Sequence, residues 1–341
     1  MKPTRSQAVA FGSAGFSSLA VIGAIYAGSG ALSRFDTPLA AYAAATVFAA
    51  FAMVYRYVMW VPRPPTWRYF KASWKLFLRP KSLVKNVVQF IGLLFSDIVI
   101  QKFIEKRSKT RWVAHLCLAW GCLLAFAITI PLSWGWVQFG TDNGYYVVEV
   151  IGHRQFAFPP HSIFGFLIFN GLNISAVMIL TGVGLAMHRR MSNHGAQAVQ
   201  SLASDLIPLF LLFSVAVTGL MLTASYRLMF GQSFAFLSLL HAFTVVVLLL
   251  YMPFGKLFHV IQRPAQLGVA YYKEEGLRGP QAICARSGLP YQSEFHHDDL
   301  VEVMKELGFD FGEHQNLSPL EKRKLIALNQ TTTLGEHPFA G

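Results

Sequence analysis

At 341 residues, with 54% hydrophobic and 13% charged residues and a mean hydropathy of +0.42, the chain is too apolar for an ordinary soluble domain. The apolar residues come in long blocks, not on one stripe of each helix, and this distribution points to lipid as their surroundings. The net charge of +12 is concentrated in connecting segments, which sets nucleic-acid binding aside, and three cysteines without a CxxC pair exclude a disulfide framework or an iron–sulfur cluster built from this chain alone.

Taken in chain order, six segments are long enough to cross a hydrocarbon layer of about 30 Å. They run from Ala8 to Leu32, Pro38 to Trp60, Trp112 to Leu132, Ser162 to Met187, Leu206 to Ala224 and Phe234 to Phe254. The first follows Met1-Lys2-Pro3-Thr4-Arg5, a signal-like start, but its apolar run exceeds the cleavable type and reads as a retained anchor. Residues 1–60 are therefore expected to form two N-terminal spans. Residues 61–111 hold 12 Lys and Arg against Asp97 and Glu105, a basic segment suited to the cytoplasmic headgroup region. Within it, Val87 to Ile100 is apolar but short and broken by Asp97, and reads as an interfacial or partner-facing helix.

Residues 112–263 then supply a four-helix core. Lys2, Arg5, the 61–111 segment, Arg189, Arg190, Lys256 and Arg263 fall on one side of the expected layer, and Arg34, Arg154 and Arg227 on the other. This asymmetry places both termini in the cytoplasm. Residues 264–341 form a polar cytoplasmic tail with short amphipathic pieces at Asp298–Leu307 and Pro319–Leu328. At under 80 residues it is expected to lean on a soluble partner. The expected fold is thus an all-α membrane protein of about six transmembrane helices with a small C-terminal tail.

Ionisable groups inside spans are costly and mark function by default, so the histidines carry the chemical reading. His241 and His259 are eighteen residues apart; on one continuous helix that is five whole turns, so both would share a face, about 27 Å apart along the axis. Such spacing suits two haems, one near each leaflet, each needing rings from facing helices. His115, just inside Arg111, and His259, just beyond Lys256, belong at similar depth on antiparallel helices and form the expected axial pair. For His241 the facing position near Ala125 cannot bind iron. Three arrangements stay open there: a His161/His241 haem, a five-coordinate haem on His241, or no second haem.

His161, after Phe158-Pro159-Pro160, could instead hydrogen-bond a quinone carbonyl or take a quinol proton. His153 and Arg154 are candidates for a quinone or haem-propionate environment. His188 and His194 read as solvated, and His296 and His297 as an exposed helix start ahead of Asp298 and Asp299, with a metal site as the alternative.

These residues resemble those of the cytochrome b subunits of the respiratory nitrate reductase gamma type, and of the membrane subunits of heterodisulfide reductase and sulfite-reduction complexes. The resemblance covers Arg111 to Pro264. It rests on Trp112-Val113-Ala114-His115, on Asp205, and on His241 followed by Tyr251-Met252-Pro253-Phe254-Gly255-Lys256-Leu257-Phe258-His259 and Arg263-Pro264. Ala125 stands where the nitrate reductase type has a further histidine, which leans the likeness toward the heterodisulfide-reductase branch.

The resemblance implies one or two haem b groups and axial ligation by His115, His259 and His241. It further implies menaquinone or ubiquinone as substrate and a cytoplasmic iron–sulfur partner of the heterodisulfide-reductase type, at a bacterial or archaeal inner membrane. It makes the chain the electron-transfer component of a quinone-linked oxidoreductase. The alternative is a proton-coupled transporter or channel using membrane histidines, which predicts charges in mid-span or interrupted helices repeated between halves.

Overall fold

The computed structural model describes residues 4–192, 195, 201–309 and 311–336, and its chain forms two compact units. The first comprises Met1–Met59 and Val99–Gln262, the second Trp60–Ile98 and Arg263–Gly341. Among the described residues seven helices are long and apolar enough to cross a membrane. Six match the expected spans; the seventh runs Pro80–Val99 and extends the stretch read as too short.

In the first unit, α1 (Arg5–Gly28) and α2 (Ala40–Trp60) form an antiparallel hairpin. Thr4 and Gln7 close a reciprocal capping box at its start, meeting amide groups the first turn leaves unbonded. Ala10 and Ala14 are fully buried, Ala45 and Ala49 nearly so, and small side chains of this kind let membrane helices approach closely. Phe11 packs on Tyr55, with ring centroids 4.9 Å apart.

After the short α5 (Lys102–Glu105), the remaining long apolar helices of this unit are α6 (Lys109–Ser133), α7 (Ile163–Ser192), α8 (Ile207–Leu228) and α9 (Phe234–Tyr251). Their shared core joins Ala176, Ile179 and Val183 to Leu209, Leu212 and Ala216, with Leu248 from α9 and Leu118 and Cys122 from α6 against it. The seam between α6 and α7 depends on glycine. A Cβ on Gly182 would lie 2.8 Å from the Ala114 carbonyl oxygen, and one on Gly171 2.7 Å from Ile128. Ser175 Oγ donates to the Gly121 carbonyl at 2.8 Å across the same seam. The pairings 114 with 182 and 128 with 171 show that α6 and α7 run antiparallel.

Between them lies structure that a helical expectation missed. Strands β1 (Val137–Asp142), β2 (Tyr145–Val150) and β3 (His153–Phe158) form an antiparallel sheet in sequence order, with Val137 opposite Val150 and Val147 opposite Ala157. Asn143-Gly144 and Ile151-Gly152 make the turns with positive φ at both positions, as tight hairpins require. Tyr146 and Phe158 carry the sheet onto Phe169 of α7.

A second difference concerns the last span. It was expected to continue helically to His259, but α9 ends at Tyr251, and a short turn at Lys256–Phe258 leads into a separate helix, α10 (His259–Gly276). Pro253 lacks an amide proton and its ring obstructs the preceding turn, which ends the helix. Arg56 of α2 donates to the Pro253 carbonyl, and its guanidinium lies 4.3 Å from the Phe258 ring centroid. Because the helical phase is reset, the shared face inferred for His241 and His259 does not exist.

The second unit contains α3 (Thr66–Phe77), α4 (Leu83–Leu94), most of α10, a hairpin of β4 (Gln281–Ile283) and β5 (Pro290–Ser293), α11 (Glu294–Glu306) and α12 (Pro319–Glu336). Leu93, Leu267 and Tyr271 form its apolar centre. Asn86 is buried, its amide donating to the Leu76 and Phe77 carbonyls at 3.2 and 2.9 Å. Arg68 meets Asp299 and Glu306, at 3.4 and 2.8 Å. The tail thus packs on the chain's own basic segment. Val84, Val88, Ile91 and Phe95 stay exposed along one stripe of α4 and its extension.

Candidate functional site

The histidines separate to two ends of the α6–α9 bundle. His115 lies in the second turn of α6, whose first turn is capped by the Ser108 hydroxyl accepting from the Arg111 amide. His259 opens α10 after the turn that follows Pro253. The two rings, 144 positions apart in sequence, come together with centroids 6.1 Å apart and planes inclined by 60°. Two metal–imidazole bonds of about 2.0 Å set coaxial ring centroids about 6 Å apart, so the spacing suits one metal shared between them.

The second nitrogens of these rings are also accounted for. His115 Nδ1 is 2.6 Å from Gln101 Oε1, and His259 Nδ1 is 2.5 Å from the Lys256 carbonyl oxygen. Amide and carbonyl oxygens only accept, so each Nδ1 is the donor, and in the neutral ring Nε2 is then the nitrogen that can bind a metal. Metal-binding histidines are regularly held this way, with the distal N–H given to an oxygen that fixes tautomer and ring orientation. The same end of the bundle carries Asp205, whose carboxylate is 2.5 Å from Lys256 Nζ and 3.9 Å from Arg190. Tyr251 adds a hydrogen bond to the Ala203 carbonyl at 2.6 Å, tying the end of α9 to the turn that leads into α8.

His241 is half-buried on α9 and turned toward α8, its Nδ1 2.9 Å from Thr218 Oγ1. Thr218 gives its proton to the Ser214 carbonyl at 2.7 Å, so its oxygen accepts from His241. Gly219 leaves room beside the ring, since a Cβ there would lie 3.3 Å from His241 Cε1. No ring contact pairs His241 with another histidine among the described residues.

His161 is exposed and lines a cavity of about 770 Å³ at the opposite end of the bundle from His115. Asn170, Asn173, Thr223 and Arg227 line the same cavity and form one network. Arg227 and Asn173 both donate to Asn170 Oδ1 at 3.3 Å, and Thr223 donates to Asn173 Oδ1 at 2.8 Å. These four residues were not singled out from sequence, although two asparagines inside an apolar span are a legible signal.

His153 and Arg154 are exposed on β3, and Arg154 pairs with Asp142 at 2.8 Å; neither lines the cavity. His188 is exposed, as expected, and His194 lies outside the described residues. His296 departs from the expected exposed helix start: it is half-buried between the rings of Tyr69 and Tyr272, and burial together with Lys273 lowers its pKa. Asp299 is taken up by Tyr272, whose hydroxyl donates to it at 2.6 Å, and by Arg68.

His115 and His259 are thus the residues brought together, while His161 and His241 remain apart in separate surroundings. No known protein family, curated protein or solved structure matched the chain.

Proposed function

We propose that this chain is a haem b-binding membrane subunit that carries electrons between a quinone and an iron–sulfur protein on its basic side. The observation that supports it most is the His115–His259 pair, with rings 6.1 Å apart and each Nδ1 bonded to an oxygen acceptor. Haem b bound there supplies one-electron exchange between the two-electron quinone couple and one-electron iron–sulfur carriers.

The protein's part is positional. His115 and His259 would hold the haem, with Gln101 and the Lys256 carbonyl bonded to their second nitrogens, and Asp205 anchors the Lys256 turn to the segment leading into α8. Arg56 steadies the same turn from α2. His241, its Nδ1 held by Thr218, would hold a second haem. The cavity at the other end takes the quinone headgroup. Arg227 and the amides of Asn170 and Asn173 offer donors for a quinone carbonyl, and His161 offers a group that can accept a quinol proton.

The basic segments face the cytoplasm in this reading, and the iron–sulfur partner, of the heterodisulfide-reductase type, docks on that side. Direction of electron flow follows from the relative potentials of the carriers, which ligand identity does not set by itself.

A reduced-minus-oxidised visible spectrum of the purified protein tests the proposal. A b-type alpha band is expected, and His259→Ala should lower the haem-to-protein ratio by one equivalent. Absence of the band, or an unchanged ratio in the variant, contradicts it.

A further inference from the structure

Gln101 adopts a left-handed backbone conformation, φ +59° and ψ +41°, and is only 6% exposed. Glycine takes that conformation without penalty and asparagine or aspartate with little; glutamine has no such advantage, so the path of the chain does not explain the residue. Strained backbone of this kind persists where surrounding contacts over-determine it, and it concentrates at functional sites. Here the contacts are two indole clamps. Trp112 Nε1 donates to the Ile100 carbonyl at 2.6 Å, and Trp120 Nε1 donates to the Val99 carbonyl at 3.1 Å.

Both tryptophans belong to α6, the helix that carries His115. Residues 99–101 are therefore fastened along that helix at three points, and the third is the 2.6 Å contact between Gln101 Oε1 and His115 Nδ1. On the opposite ring a backbone carbonyl does the same work, with no side chain involved. The two rings are thus held asymmetrically: one by a fixed main-chain oxygen, the other by a replaceable side chain delivered at the expense of backbone strain.

We propose that Gln101 is the positioning residue for His115, and that its side-chain acceptor tunes how strongly this imidazole donates to the iron. The inference rests on the haem reading above. An acceptor pulling on Nδ1–H makes the ring more electron-rich at Nε2 and favours the oxidised metal, so acceptor strength should appear in the midpoint potential.

Three variants of the full-length protein test this by redox titration followed at the alpha band. Gln101→Glu presents a charged, stronger acceptor and should shift the potential of the His115–His259 haem downward. Gln101→Leu removes the acceptor and should shift it upward. Gln101→Gly accepts the left-handed backbone without strain and also lacks the acceptor, so it should follow the leucine variant while folding at least as well as the parent. If Gln101 served only to shape the backbone, the glycine variant would titrate like the parent. That result, or a parent-like potential in Gln101→Glu, overturns the proposal. Should Gln101→Leu lose haem, the glutamate and glycine variants decide the matter. A parent protein without haem, or a His115→Ala variant that keeps all of it, instead sinks the haem reading itself.

Discussion

The two ends of the α6–α9 bundle set the same residue type in different surroundings. At one end His115 and His259 come from helices distant in sequence, close to 6.1 Å, and surrender their second nitrogens to fixed oxygens. At the other, His161 stands exposed at the mouth of a cavity of about 770 Å³, among amides and an arginine. The first arrangement leaves the rings little freedom and suits permanent ligation. The second leaves room for a ligand that enters and departs. A histidine in a membrane helix is therefore read from its partner and the bond at its second nitrogen, more than from its presence.

Substitutions should separate the ends sharply. The largest effect belongs to the paired rings: His115→Ala and His259→Ala should each remove the haem proposed to lie between them, while His161→Ala keeps the full complement, measured by haem-to-protein ratio. His241→Ala should remove only a haem with high-spin character; equal losses from all four variants would erase the distinction between the ends.

Next in size is Arg227→Leu, which takes a charged donor from the cavity and leaves Asn170 with one donor fewer. Losing a charge-assisted hydrogen bond of about 1.5–3 kcal/mol should weaken binding of a quinone analogue by roughly ten- to a hundredfold. Haem content should stay unchanged, and parallel loss of haem would argue that the two ends are not independent.

A smaller, structural effect is expected at the seam. Gly182→Ala forces a methyl to within 2.8 Å of the Ala114 carbonyl, one residue before His115, and should cost about 1–3 kcal/mol as overpacking does. Gly184→Ala, two residues along and open on that side, serves as its control. Thermal unfolding in detergent compares them, and equal midpoints would count against the close seam. Least of all should follow from Arg154→Met. Its ion pair with Asp142 is exposed on both sides, so the change should stay within about 1 kcal/mol and leave quinone-analogue affinity untouched.

Much of this architecture is legible in the sequence because lipid imposes a simple rule: long apolar blocks become helices, and all six expected spans do. The pairing of His115 with His259 is also readable, from the distance of each to a basic boundary. What fails is reasoning that assumes continuity. The eighteen-residue interval from His241 to His259 has meaning only on an unbroken helix, and Pro253 breaks it. The sheet at residues 137–158 lies outside the six apolar blocks, although Asn143-Gly144 between alternating residues is a strong hairpin signal. Val87–Ile100 reads as short and broken by Asp97, whereas helical turns start at Pro80 and continue through Asp97 to Val99.

Other features had no local signal at all. Gln101 is fourteen positions from His115 and meets it only because two tryptophans bend the intervening chain back along α6. The tail also meets Arg68, Ser73 and Gln89 of its own chain, contacts that span 185 to 231 residues of sequence. Asn170 and Asn173 were visible as polar residues in a span, but their link to Arg227 depends on how α7 meets α8.

The claim that matters most is that residues 115 and 259 hold one iron between them. Near-infrared magnetic circular dichroism of the oxidised protein identifies axial ligands directly. The expected result is a bis-imidazole signature in the parent that changes to a histidine–methionine signature in His259→Met. A parent spectrum without bis-imidazole character, or one that the methionine substitution leaves unaltered, would contradict the assignment.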